Sequence, residues 1–369
     1  MRDCLIVGGG VYGCAVAWHL ARQGVGVTLI EANTIASGAS GGPGHRGVRA
    51  NFRDPRELPL MARAHEIWPV LHEALGCESL FERTGQLTLI EHDEDLAAAE
   101  ARVATQNRLG TPTELVTGDA LRALEPGLAP FIKAAIHCPN DGVADHGATT
   151  RAIAEAGCRA GADIAEGVAA HRVLTRDGRA VALDTSQGEM PVSDHLLLLA
   201  NAGVRSLVAP WCDLPTWNLT SQVLLSRPFS ENPVRHLVGH VSRTLSLKTE
   251  PGDRLMITGG HIGRWDDETG RGHALPEAIA ANVADAVAVY PALEGIEVEI
   301  ADADHLEADC IDGVPVIDRV PGLSNAMFAT GWTGHGWAIS PAVSELLASW
   351  LIEGDRPALL APFSLARFG

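Results

Sequence analysis

The sequence predicts an α/β fold in which a parallel, nucleotide-binding domain is interrupted by a mainly antiparallel α+β domain. Three observations carry this. Residues 5–31 read without a break as strand, glycine turn, helix and strand. Apolar strand-like runs at residues 196–200 and in the MFAT segment from Met327 return to the same buried texture far along the chain. Between them lie segments of alternating polar and apolar residues, which suit a half-buried antiparallel sheet. The expected division is 1–80, 143–208 and 309–369 for the nucleotide-binding domain, and 81–142 and 209–308 for the inserted substrate-binding domain.

The opening segment is a Rossmann-type unit. Leu5, Ile6 and Val7 lead into Gly8, Gly10 and Gly13 at G-x-G-x-x-G spacing, and an apolar helical pattern follows directly. Gly8 permits the tight turn, Gly10 lets the backbone approach a pyrophosphate, and Gly13 lets the helix lie against the sheet. Unpaired N–H groups at the helix start then meet the phosphates. Gly24 ends the helix, VGVTLI forms the second strand, and Glu31 stands near the position at which an acid takes the ribose hydroxyls. The motif in this context specifies a dinucleotide without separating a nicotinamide from a flavin one.

Residues 32–57 are glycine-rich, carry several arginines and read as an ordered loop. Gly38, Ser40 and Gly42 match the G-x-S-x-G expression of a hydrolase nucleophile, but Pro43 and Gly44 follow where the elbow requires a helix. A helix is expected over 58–75 with Gly76 as its stop. Strands at 86–91 and 134–138 flank a helical stretch at 94–109. A further helix spans 149–161, and two short strands surround the Asp177-Gly178 turn. The inserted domain resumes with the QVLLS, TLSLK and RLMITGG strands and a helix at 276–289. The chain closes on a strand, a glycine turn and a helix with Ser340 as N-cap and Pro341 at its first position. Val343, Leu346, Leu347, Trp350 and Leu351 form the buried stripe of that helix.

Composition narrows the function. A net charge of −18 argues against nucleic acid and anionic membrane as partners, with peripheral membrane docking left open. No apolar run reaches transmembrane length, and the first strand begins too near Met1 to leave room for a signal peptide. The seven scattered cysteines form neither a disulfide framework nor a zinc knuckle, so a reducing, cytoplasmic setting is expected. His236 with His240, and His261 with His273, complete no metal motif, and no metal is expected. Lys248 follows an alternating strand with one face toward the interior of the inserted domain; it reads as solvent-facing, with a second charge in the substrate pocket as the other reading.

With these pieces in order, the chain resembles the FAD-dependent D-amino acid oxidase superfamily, on the branch of glycine oxidase, monomeric sarcosine oxidase and the sarcosine oxidase beta subunit. The resemblance rests on GGGVYG with Glu31, the SGASG loop, DGVPVIDRVPG, and ATGWTGHGWAISPAV. It implies a Rossmann-type FAD-binding domain in which Gly8, Gly10, Gly13, Glu31, Ser40, Gly41, Val168, Gly331, Gly334, His335 and Gly336 contact FAD. It also implies hydride transfer from the α-carbon of an amino acid or N-substituted amino acid to the flavin, giving an imine that hydrolyses. Arg49 falls on the arginine that holds the substrate carboxylate in sarcosine oxidases, and Arg46 on one beside the flavin. Against this stands the reading of Arg46, Arg49, Arg53 and Arg56 as a solvated basic stretch. His335 is either a donor to the flavin or a space-filling turn residue, and His45 or His335 is a candidate to assist deprotonation of the substrate ammonium.

Three departures from the family pattern matter. Glu307 occupies the place of a second carboxylate-binding arginine, which suggests a substrate with a second cationic centre. Where sarcosine oxidases carry an oxygen-activating lysine, this chain has Arg264 or Trp265, which favours electron transfer to a quinone or a partner protein over fast transfer to O2. Their flavin-tethering cysteine is His305 here, so FAD is expected to be held non-covalently. Three other readings remain open: a 2-hydroxy acid dehydrogenase with His45 as base, a flavoprotein subunit active only with a partner, and an NAD-dependent dehydrogenase.

Overall fold

The computed structural model describes residues 3–40, 42 and 44–369. The strand Asp3–Val7 lies inside a six-stranded sheet with the order Val316–Arg319, Ala326–Thr330, His195–Leu198, Asp3–Val7, Gly26–Glu31, Asp163–Glu166. All neighbours are parallel except the first pair. Both faces are covered, which is why its strands are apolar without alternation. Ile6, Leu29, Leu197 and Met327 face the helices Val11–Arg22, His146–Arg159 and Gly336–Glu353. Leu5, Ile30, Leu198 and Phe328 face a three-stranded antiparallel layer that includes Ala170–Arg176 and Arg179–Thr185. Asp177 and Gly178, joining those two strands, both have positive φ (50° and 70°), as the tightest hairpin turn requires.

A second sheet has eight strands in the order Val298–Asp302, Val223–Ser226, Arg254–Thr258, Ser246–Glu250, Leu237–His240, Gln86–Ile90, Ala134–Cys138, Glu114–Thr117. Its pairs are antiparallel except where Leu237–His240 meets Gln86–Ile90, the seam between the two expected inserted segments. The helix Pro276–Val289 packs Ala286 and Val289 onto Leu247 and Ile257 of this sheet.

Three elements differ from expectation. The 58–75 helix divides into Leu58–Ile67, a 3-10 turn Trp68–Val70 and Leu71–Leu75, because Pro69 has no N–H to continue the ladder. The loop after Glu31 contains a strand, His45–Val48, paired antiparallel with Gly142–Asp145. The last helix begins at Gly336, with Pro341 inside it and His335 rather than Ser340 at its N-cap. A proline there removes one intrahelical bond, and the packing of Ala338, Ile339, Ala342 and Val343 into the core outweighs that loss.

Among the described residues no helix is long and apolar enough to cross a membrane. All seven cysteines are free thiols.

Candidate active site

A cavity of about 940 Å³ opens where the parallel strands end, and the eight-stranded sheet supplies its other wall. Its size is at the upper end of the usual range for small-molecule sites, roughly 300–1,000 Å³. It lies outside the carboxyl ends of the parallel strands, where open α/β sheets bind nucleotides.

The glycine turn lines it. Gly8 has φ +112°, and a Cβ there would stand 2.6 Å from the Leu199 carbonyl oxygen. Around Gly10 a Cβ would meet nothing within 4 Å, so bare backbone at the start of the helix Val11–Arg22 faces the cavity. Gly13 is not on the lining, and a Cβ there would lie 1.9 Å from the Gly8 oxygen. Glu31 turns back onto this loop, its carboxylate accepting from Gly9 N at 2.7 Å and Asn33 N at 2.9 Å. Val168 N donates to the Glu31 carbonyl at 2.8 Å. These features fit the pyrophosphate and ribose of a dinucleotide: an open helix N-terminus, a backbone without side chains and an acid beside it.

The C-terminal turn closes the cavity. Gly334, His335 and Gly336 line it, together with Trp332. Gly331 does not: it has φ +74° and packs against Cys310 and Thr216, so its part is to shape the turn from behind. Tyr12 stacks on Trp332 with centroids 3.8 Å apart and donates its hydroxyl to Gly336 O at 2.5 Å, fastening the first helix to the last. The expected contact at Gly41 lies outside the described residues.

Glu307 needs a correction. It is 2% exposed, on the strand Leu306–Cys310, and its carboxylate accepts from Gly334 N at 3.1 Å, Asn201 Nδ2 at 3.2 Å and the Ser40 hydroxyl. Burial raises its pKa and these three donors oppose the rise. A carboxylate so engaged ties three turns together and is not available to read a cationic substrate.

The arginines divide by role. Arg53 is 2% exposed, pairs with Glu57 at 3.2 Å and donates to His335 O at 2.6 Å. Arg56 pairs with Asp54 and Asp312. Arg46 and Arg49 line the cavity, and burial lowers each to a pKa of about 10. Arg46 donates to the Gly42, Gly44 and His45 carbonyls. Arg49 donates to Asn51 O at 2.5 Å, and the backbone beside it is fixed by Asp141, which accepts from Ala50 N at 2.8 Å and bonds His65 at 2.8 Å. The solvated-stretch reading therefore fails for Arg46, Arg49 and Arg53 and holds for Arg56, whose side chain is half-exposed in pairs with two acids. His65 and Asp141 also lie with Cys138 within reach of one common ligand position, but that carboxylate is already engaged as described.

Neither histidine suits a base near neutral pH. His45 lies off the cavity lining and is locked to Glu250, through N–H to Oε1 at 2.7 Å and Nδ1 to Oε2 at 2.8 Å, which raises its pKa. His335 does line the cavity. Burial, then Arg49 and Arg53, push its pKa well below the usual histidine range, so the ring is neutral.

Lys248 takes the pocket-facing of its two readings. It is buried at 6% exposure on the cavity wall, donates to Thr258 Oγ1 at 3.1 Å, and burial followed by Arg46 lowers its pKa to about 7. Lys248 thus reaches the cavity from the strand Ser246–Glu250, and near neutral pH it divides between its charged and neutral forms.

Residues 3–350 match the FAD dependent oxidoreductase (DAO) family. The sarcosine oxidase beta subunit of Rhizobium meliloti (strain 1021) is 28% identical over 379 residues, covering 99% of this chain and 88% of that protein. Glycine oxidase of Geobacillus kaustophilus (strain HTA426) is 26% identical over 376 residues, covering 99% and 97%. In fold, the chain superposes on L-proline dehydrogenase from P. horikoshii with a TM-score of 0.90 at 24% identity, covering 100% of this chain and 97% of that one. A match over nearly the whole length decides the dinucleotide in favour of FAD over NAD, and the chain belongs to the FAD dependent oxidoreductase (DAO) family.

Proposed function

We propose that this chain oxidises the C–N bond of an amino acid or N-substituted amino acid, leaving an imine that hydrolyses in water. The observation that carries the reading is Arg49, a guanidinium without an ion-pair partner among the described residues, in one cavity with the open glycine turn. Bound FAD supplies the two-electron acceptor. Arg49 binds the α-carboxylate through its planar fork and so fixes where the α-carbon lies. His335, held neutral, offers a hydrogen bond without adding charge. Trp332 and Tyr12, stacked on the wall, exclude water from one side. Electrons then leave to O2, a quinone or a partner protein.

A 2-hydroxy acid needs a base for its hydroxyl proton, and His45 lies off the cavity lining. Anaerobic mixing of the purified single chain with amino acids is therefore expected to bleach the flavin, with 2-hydroxy acids of the same skeleton inert. Bleaching by the hydroxy acids alone would reverse the assignment. Turnover with an artificial electron acceptor should follow without any added subunit.

The flavin is held without a covalent bond in this reading, because no cysteine stands among the lining residues and Cys310 is turned to Asp312 at 3.3 Å. Acid precipitation should leave the yellow colour in the supernatant. Colour retained in the pellet after washing would mean a covalent link.

A further inference from the structure

We propose that the substrate of this chain carries a second anionic group, bound by Lys248, while Arg49 takes the α-carboxylate. The inference rests on the amino acid reading above and specifies its substrate class.

The first support is charge. The acids that act on Arg49 and Lys248 are committed elsewhere: Glu57 to Arg53, Asp141 to His65 and Glu250 to His45. Asp309, also on the lining, acts electrostatically on neither Arg49 nor Lys248. Among the described residues Arg49 donates to a backbone carbonyl and Lys248 to a hydroxyl, and neither joins an ion pair. An amino acid with one carboxylate pairs with Arg49 and leaves Lys248 without a counter-charge, shifted by burial toward its neutral amine. A dianionic amino acid pairs with both and draws Lys248 back to its ammonium form.

The second support is placement. Ser246 and Lys248 face the cavity while Leu247, between them, enters the core beneath the sheet, so strand alternation aims the lysine inward. Met256 is its cross-strand neighbour, and Thr258 holds the ammonium by a single hydrogen bond. A lysine ammonium has three donors, so a carboxylate arriving in the cavity finds free ones. A carboxamide of the same shape brings no charge, and a site built around a charged contact discriminates against it.

The test uses the purified flavin-loaded protein and two matched pairs of non-oxidisable acids, glutarate against butyrate and succinate against propionate, titrated by the change in flavin absorbance. The dicarboxylate of at least one pair should bind ten-fold or more tightly than its partner. Equal or weaker binding of both dicarboxylates overturns the proposal. Lys248→Met should raise the dicarboxylate Kd to that of the monocarboxylate, and a preference that survives this substitution removes Lys248 from the assignment. Should that variant not fold, the wild-type comparison decides alone. In turnover, aspartate and glutamate should exceed asparagine and glutamine by ten-fold or more in kcat/KM for the enantiomer that reacts. Tight dicarboxylate binding with no amine oxidised would defeat the amine reading and leave the anion site standing. Amine oxidation with no dicarboxylate preference would defeat this inference alone.

Discussion

Arg49→Met is expected to lower kcat/KM for the amino acid substrate by on the order of 10²- to 10³-fold, the size seen when one partner of a buried, hydrogen-bonded charge pair is removed. The loss should fall mainly on KM, since the carboxylate contact is made before and during reaction alike. Flavin content should be unchanged, because the glycine turn and the C-terminal turn are built from other residues. Stability should not fall either. Arg49 is flanked by Arg53, whose charge works against its own, and it forms no ion pair among the described residues that the substitution would break. Arg49→Lys should recover only part of the activity, because an ammonium cannot reproduce the paired donors of a guanidinium. Steady-state kinetics with flavin absorbance and thermal unfolding measured on the same samples separates these effects. An unchanged KM would remove Arg49 from substrate binding.

What could be read from the chain alone divides along physical lines. The parallel sheet was legible because each of its strands is buried on both faces, and that leaves an apolar run in one stretch of sequence, as at Leu196, Leu197 and Leu198. The glycine turn was legible because all its constraints lie within a few residues. Lys248 was not. Alternation along TLSLK says that the strand has two faces, but not that the polar face looks into a cavity. His45 misled for a related reason: its partner Glu250 is 205 residues away, and only the folded chain shows that the ring is already engaged. Glu307 depends on Ser40, Asn201 and Gly334, three turns from distant parts of the sequence. Tyr12 sits inside the GGGVYG motif itself, yet its stacking on Trp332 joins the two ends of the chain and has no local signature. The start of the last helix was misread because Pro341 marks a first turn in most helices, whereas here core packing carries the helix back to Gly336.

Gly13→Ala and Gly10→Ala should both deplete the flavin, by different routes that can be told apart. At Gly13 the new methyl would lie 1.9 Å from the Gly8 carbonyl oxygen, and that atom belongs to the backbone of the turn and cannot rotate aside. Relief requires the helix Val11–Arg22 to move off the sheet, yet that helix is held between His146–Arg159 and Gly336–Glu353 through Ala15, Ala17 and Ile153 and by the Tyr12 hydroxyl bond to Gly336. Overpacking of this kind costs about 1–3 kcal/mol or more, and here it also displaces the helix terminus that would face the pyrophosphate. The apoprotein should therefore unfold at lower temperature as well as lose flavin. At Gly10 the backbone is extended, with φ −76° and ψ −178°, a conformation open to alanine, and no atom lies within 4 Å of the new methyl. The apoprotein should keep its stability while the methyl blocks close approach of the phosphates, so flavin affinity alone should fall. Flavin content and apoprotein melting, compared for the two variants, distinguish a glycine needed for packing from one needed for access. Equal destabilisation by both would mean that Gly10 serves the fold and not the cofactor.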